Sequence, residues 1–269
     1  MKHEFRENDR VRLTVEADGV AQVRLTRDAK LNALDRPMFA ALIEVGQALF
    51  EIPGLRAVVL AGEGRAFCAG LDLAAMGSPN VSDGPLTERT YGNANLFQQV
   101  ALQWRKLPVP VIAAVHGVCF GGGLQIAGGA DIRVVAPDAR LAVMELKWGI
   151  VPDMGGFALW RGLVREDVLR LLTYTHGEFS GAEALRDGFA TLVDEDPLAR
   201  ATAIATEIAA RSPHAIRSAK SLFNRSPDLP LDQILAAESV EQQRLLGTRN
   251  QTEAEASQME RRPGRFVDP

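Results

Sequence analysis

Two runs of small residues carry most of the chemistry this chain can offer: FCAGLDL at 67–73 and GVCFGGGLQIAGGA at 117–130. Glycines allow unusual backbone angles and let a ligand approach the main chain closely. The second run leaves a predicted strand near Gly117, passes Gly121, Gly122 and Gly123, and enters a helical pattern around Leu124. Free N–H groups and the positive end of a helix would face whatever binds there. A triple glycine alone is also what a plain turn looks like. A dinucleotide site is the competing functional reading, but the run lacks the G-x-G-x-x-G spacing and no such loop follows the first strand. Taken together with FCAGLDL, the pattern narrows. Two such turns, each after a buried strand, can each aim one N–H at the same oxygen. That arrangement stabilises a carbonyl that gains negative charge in a transition state.

The turns need a scaffold that brings them together. VRLTVEADGVAQVRL (11–25) alternates as two strands around Asp18-Gly19, a hairpin pair. Asp35 is placed to cap a helix with Pro37 in its first turn, and Met38, Leu42, Val45 and Leu49 recur at helical spacing. LRAVVLAG, PVIAAVHG and DIRVVAP read as buried strands, so strands alternate with helices and predict an α/β architecture. Residues 77–95, rich in Gly, Ser, Pro and Asn, predict a mobile surface loop. Ser180 followed by Glu183 has the spacing of a capping box. From Pro197 onward the pattern is helical, interrupted near NRSPDLP. The chain therefore divides into an α/β core, 1–196, and a helical region, 197–269, whose amphipathic helices lie against the core or against another subunit.

At 269 residues and 46% hydrophobic, the chain can bury a sizeable core. A net charge of −4 argues against nucleic acid or an anionic membrane as the main partner, so an anionic ligand must meet a local cluster of positive charge. Cys68 and Cys119 lie in apolar surroundings and read as reduced thiols of a cytoplasmic protein. The start MKHEFRENDR has no apolar segment of a secretory signal, RFVDP carries no retention or peroxisomal address, and no run of about 18 apolar residues suggests a spanning helix. The four histidines are scattered, so no metal site is expected, and His116 reads as structural. The basic tail MERRPGRF reads as a solvated terminus.

KLNALD (30–35), GEGRAFCAGLDL (62–73), HGVCFGGGLQIAGGADIR (116–133), ELKWGIVPDMGG (145–156) and SGAEALRDGFATLVD (180–194) occur in one order along the chain. In that ordered set the sequence resembles the enoyl-CoA hydratase/isomerase family, the crotonase superfamily, over roughly residues 10–265. The resemblance implies an α/β, crotonase-type spiral of repeated β-β-α units with a C-terminal helical trimerisation region, assembled as a homotrimer or homohexamer. The ligand it implies is an acyl-CoA, the coenzyme A entering as the substrate thioester, with no separate cofactor.

The family's two oxyanion N–H groups fall on Leu71 and Gly122. The backbone at Ala69 would face the adenine, Lys30 and Leu31 would flank the CoA, and Gly70, Asp72, Leu73 and Gly121 would complete its contacts. Arg24, Arg27 and Lys30 form a basic cluster suited to its phosphates. A hydratase of the family splits water between two glutamates. The second falls on Glu145, but the first falls on Gln125, which can orient a water or a substrate group and cannot exchange a proton at neutral pH. Asp153, eight residues beyond Glu145, matches the acid of dienoyl-CoA isomerases, although some halobenzoyl-CoA dehalogenases place a nucleophilic Asp there and a turn after Pro152 also accounts for it. Double-bond isomerisation of the dienoyl type is favoured. Hydration of 2-enoyl-CoA in fatty acid β-oxidation is the alternative, and a low-turnover acyl-CoA-binding protein a remoter one. Trp148 is placed either to wall the acyl pocket or to pack in the core.

Overall fold

The computed structural model describes residues 3–5, 9–75 and 84–269. Among them, strands β1 (His3–Phe5), β2 (Val11–Val15), β3 (Val20–Leu25), β4 (Ala57–Gly62), β5 (Ala66–Cys68), β6 (Val111–Val115), β7 (Val118–Phe120), β8 (Ile132–Val135), β9 (Arg140–Ala142), β10 (Phe179–Ser180) and β11 (Leu192–Val193) form two sheets. Seven strands run in the order β1-β2-β3-β4-β6-β8-β11 and four in the order β10-β9-β7-β5. The logic is a spiral. In each unit one strand joins the large sheet, the next joins the small sheet, and a helix returns the chain. Thus β4, β6 and β8 are parallel neighbours in one sheet while β5, β7 and β9 are parallel neighbours in the other.

The hairpin at Asp18-Gly19 forms, with Gly19 at φ +82°. Asp35 caps α1 (Arg36–Glu51) by accepting the Met38 N–H, and Met38, Leu42, Val45 and Leu49 are all buried. The core lies between the sheets, α1, α2 (Leu96–Lys106) and α3 (Gly122–Gly128). After β9 come α4 (Gly156–Trp160), α5 (Glu166–Thr175) and α6 (Gly181–Asp187), the last opened by the reciprocal Ser180–Glu183 bonds. The predicted loop at 77–95 is described from residue 84, where bends and turns lead to Asn95, the cap of α2; residues 77–83 lie outside the described residues.

The helical region opens with α7 (Pro197–Ala209), which packs through Ala201 and Ala205 on the back face of the large sheet, against Val59, Ile112 and Val134. α8 (Pro213–Arg225) is pinned by Lys220. Its buried ammonium donates to the Trp104 and Val109 carbonyls and to Asp131 at 3.1, 2.7 and 2.7 Å. α8 meets α9 (Leu231–Leu245) across an apolar groove that exposes Phe223, and α10 (Arg249–Met259) follows. The tail read as solvated is largely exposed, but it is anchored at several points. Arg262 pairs with Glu253, Asn250 exchanges bonds with Val267, and Arg56 pairs with Asp268 at 2.6 Å. Within MERRPGRF the charge of Arg262 is met by Glu253 and Glu260, while Met259, Arg261 and Arg265 stay exposed. Among the described residues no helix is long and apolar enough to cross a membrane.

Candidate active site

β5 and β7 are neighbouring parallel strands with Cys68 opposite Cys119, so the two glycine-rich turns leave the sheet side by side. Neither three-residue strand has a periodic signature, and the strand read as ending near Gly117 is instead β6 followed by β7.

The first turn is fixed almost donor by donor. Ala69 N–H donates to the Leu31 carbonyl at 2.9 Å, Gly70 N–H to the Cys68 sulfur, and Asp72 N–H to the Leu34 carbonyl at 2.9 Å. Leu34 N–H in turn donates to the Gly70 carbonyl at 2.8 Å. Among the described residues the Leu71 N–H alone in this stretch has no partner. The Asp72 carboxylate is tied by the Ala74 N–H and by Arg27, which hold it below the usual carboxylate range. In the second turn, Gly121 N–H donates to the Ala142 carbonyl at 2.9 Å. Gly122 begins α3, so its N–H has no carbonyl one turn back, and none of the described residues accepts it. The turns touch. Gly70 stands at φ +85°, and a Cβ there would lie 2.8 Å from the Phe120 carbonyl oxygen and 3.7 Å from the Gly122 nitrogen.

Leu71 and Gly122 both line one cavity of about 820 Å³, and so do Glu145 and Asp153. Glu145 sits in a single 3₁₀ turn after β9, 7% exposed, against the second glycine turn: a Cβ on Gly121 would come 3.3 Å from Glu145 Oε1. Burial holds the Glu145 carboxyl above its ordinary range, and the charge of Asp153 pushes the same way. Burial likewise raises Asp153. Two carboxyls in one cavity, both shifted upward by burial, are candidates for proton exchange with a bound chain.

Gln125 lies between them in an unexpected role. Its carbonyl oxygen accepts the Met154 and Gly156 N–H groups at 2.9 Å each, and its amide donates to Glu145 Oε1 at 2.6 Å. The side chain is 1% exposed. Its oxygen is fully engaged by the two backbone N–H groups, and one of its two amide N–H groups is given to Glu145. Glu145 Oε2 is buried with no partner among the described residues.

Of the residues read from the sequence, Lys30, Ala69, Gly70, Leu71, Asp72, Leu73, Gly121, Gly122, Gln125, Glu145 and Asp153 line this cavity. Leu31 does not; it supports the wall through its bond to Ala69. Of the basic cluster, Lys30 alone lines the cavity. Arg27 is held by Asp72, Asp35 and the Ala33 carbonyl, and Arg24 donates to Gln22. Trp148 is a wall residue, 44% exposed. His116 Nε2 lies 3.0 Å from the Gly64 carbonyl, a structural contact. Sequence reasoning missed the apolar wall of Leu34, Phe39, Phe97 and Met154, with Phe39 and Phe97 edge to face at 5.0 Å. It also missed the Arg140–Glu178 pair at the rim. Phe39 follows a core position on α1, so periodicity gives it no signal distinct from the core.

Two unpaired backbone donors and two raised carboxyls around one apolar cavity form an arrangement that can draw electrons onto a carbonyl oxygen and exchange protons with an attached chain. The chain belongs to the enoyl-CoA hydratase/isomerase family, whose sequence profile matches residues 15–269. It is an enzyme of that type, acting on CoA thioesters. It is 29% identical to the mitochondrial Delta(3,5)-Delta(2,4)-dienoyl-CoA isomerase of Mus musculus, covering 96% of this chain and 81% of that one. It is 33% identical to the short-chain-enoyl-CoA hydratase of Clostridium acetobutylicum, covering 90% and 92%. Among solved structures it resembles an enoyl-CoA hydratase of Mycobacterium smegmatis, with TM-score 0.82 and 30% identity over 95% of this chain and 98% of that one. One from Bacillus anthracis gives TM-score 0.84 and 26% identity over 95% and 98%.

Proposed function

We propose that this enzyme moves double bonds in an unsaturated acyl-CoA, converting a 3,5-dienoyl thioester to its 2,4-isomer. The observation that carries the reading is the convergence of Glu145 and Asp153 on the cavity that Leu71 and Gly122 line. Moving the bonds from 3,5 to 2,4 removes a proton at C2 and adds one at C6. As the C2–H bond breaks, its electrons form a C1–C2 double bond and the carbonyl electrons move onto the thioester oxygen, where the Leu71 and Gly122 N–H groups stabilise the charge. The electrons return along the conjugated chain as C6 takes a proton, leaving C2–C3 and C4–C5 double bonds. One carboxyl accepts the C2 proton as carboxylate, and the other delivers a proton to C6 as acid. The reaction is a proton exchange within the chain's own groups and needs no further cofactor.

Hydration of a 2-enoyl-CoA remains the second reading, favoured by the similarity to the Clostridium hydratase. It is the weaker one because hydration needs two proton-exchanging groups on one water, and the amide of Gln125 cannot exchange a proton at neutral pH. A binding protein without turnover would have no use for a buried and a half-buried carboxyl, both raised, in one cavity. The test is incubation with 2-enoyl-, 3-enoyl- and 3,5-dienoyl-CoA and identification of the products. Glu145→Gln and Asp153→Asn should each lower isomerase turnover by about 10²–10⁴-fold with CoA-ester binding nearly intact. Gln125→Glu should raise whatever hydration the wild type shows. A wild type that hydrates crotonyl-CoA rapidly, with Asp153→Asn silent on every substrate, would overturn the isomerase reading.

The proposal includes assembly as a homotrimer or homohexamer through the 197–269 region. α7 is occupied with the sheet, which leaves α8–α10 and their exposed Phe223, Leu231, Leu235 and Leu246 as the contact face. It also keeps the protein cytoplasmic, which two free, buried thiols support.

A further inference from the structure

We infer that Gln125 is a positioning residue that assigns the two oxygens of Glu145 different tasks: it holds Oε1 and so reserves Oε2 for the proton. The inference rests on the reading of Glu145 as a proton-transfer group. Its geometry is closed. The amide cannot flip, because its oxygen already accepts two backbone N–H groups, from Met154 and Gly156. Its nitrogen therefore faces Glu145, 2.6 Å from Oε1. An oxygen that accepts a donated N–H is the poorer place for a proton. The other oxygen, Oε2, is buried without a partner on a side chain more than nine-tenths buried. Whether Glu145 takes a proton or gives one, the proton resides on Oε2. The same amide spans the two carboxyls, since Met154 and Gly156 belong to the segment that carries Asp153.

Few other charges bear on this contact. Against α3, β5 and β7 contribute the Cys68 and Cys119 thiols, which burial pushes far up, and α4 carries no charged residue. α2 has its charge in its last turn, at Arg105 and Lys106. The 3₁₀ turn of Glu145 also carries Lys147, which lines the cavity. Packed on that turn, α5 carries Glu166, Asp167 and Arg170, of which Glu166 pairs with Arg170 and Asp167 with Arg165 at the surface. Glu145 is the carboxyl bonded to Gln125, and Asp153 lies on the segment that the Gln125 oxygen holds.

The test uses substitutions at Gln125 in the enzyme, assayed for proton transfer on the acyl chain: isomerisation, or exchange of the thioester's C2 proton with deuterated solvent where the wild type does not isomerise. Gln125→Met keeps the length and removes both polar ends. It should lower kcat by roughly 10–100-fold, as a misplaced catalytic group does, with KM nearly unchanged. Gln125→Glu is the decisive variant. While the introduced carboxyl is protonated, its hydroxyl can donate to Glu145 Oε1 as the amide does, and activity should persist. Once that proton leaves, two carboxylates face each other at the former 2.6 Å contact. The variant should then show a descending limb in its kcat–pH profile that the wild type lacks, with turnover recovered on acidification. A role in packing alone would move neither the KM-against-kcat split nor the pH profile. A folded Gln125→Met enzyme with wild-type kcat, or a Gln125→Glu profile superimposable on the wild type, would overturn the inference. Its failure is separable from failure of the isomerase reading, because the wild-type product analysis decides the latter alone.

Discussion

Replacing Gly70 by alanine tests whether the two glycine turns act as one device. The backbone at Gly70 is left-handed, φ +85°, and the added methyl would stand 2.8 Å from the Phe120 carbonyl oxygen, inside van der Waals contact. The left-handed conformation costs a non-glycine residue roughly 1–2 kcal/mol, and the overpacking adds about 1–3 kcal/mol. Stability should therefore fall by about 2–5 kcal/mol, read as a shifted denaturant midpoint at unchanged slope. The larger effect is on chemistry. The Phe120 carbonyl is backbone and cannot swing away, so relief must come from moving the 69–72 turn off the 120–122 turn. If the Leu71 and Gly122 N–H groups serve one oxygen, as proposed, that movement separates them. Loss of one such donor typically removes about 10²–10³ in kcat, or about 2.7–4 kcal/mol of transition-state stabilisation. Steady-state turnover of a dienoyl-CoA, on protein shown folded by circular dichroism, measures it. A folded Gly70→Ala enzyme that keeps kcat within about twofold would refute the two-donor argument.

Two further outcomes follow from the same geometry. Glu145 has its carboxyl raised by burial, so the fold favours the protonated form; the stability this contributes is present below the ordinary carboxylate range and is lost as pH rises through the raised value. Glu145→Gln should therefore be more stable than the wild type at pH 8, by about 1.4 kcal/mol for every tenfold by which burial weakens the acid, and the gap should close on acidification. Equal denaturation curves across that range would contradict it. Light scattering at micromolar concentration should give a trimer or hexamer, and a monomer would remove α8–α10 as an assembly face.

Local chemistry was legible where the chain itself fixes it. The Asp18-Gly19 hairpin, the Asp35 and Ser180 caps and the two glycine turns depend on residues within a few positions of one another. The pairing of Glu145 with Asp153 was legible only through resemblance, since eight residues of spacing do not say that both face one cavity. The role of Gln125 was not legible, because the direction of an amide depends on its partners, and the Met154 and Gly156 N–H groups lie 29 and 31 positions away. Arg27 is hidden for a related reason: a cationic cluster looks like a phosphate site until Asp35 and Asp72 are brought against it. Strands of three residues, β5 and β7, are too short for any period to show, although they carry the site.

The placement of the cysteines makes the floor of the site open to measurement. The chain has two, Cys68 and Cys119. They pair across β5 and β7, directly beneath the two turns, and both are fully buried. Burial pushes the Cys68 thiol up to about 12 and raises Cys119 as well. The reactive form of a thiol is the thiolate, so neither can be alkylated while the strands are closed. Any labelling in native buffer must pass through an opening that separates β5 from β7 or lifts α3 from them. The alkylation rate at saturating reagent thus counts openings of the floor beneath the two glycine turns, and its suppression by a bound thioester would report how firmly the ligand clasps those turns together.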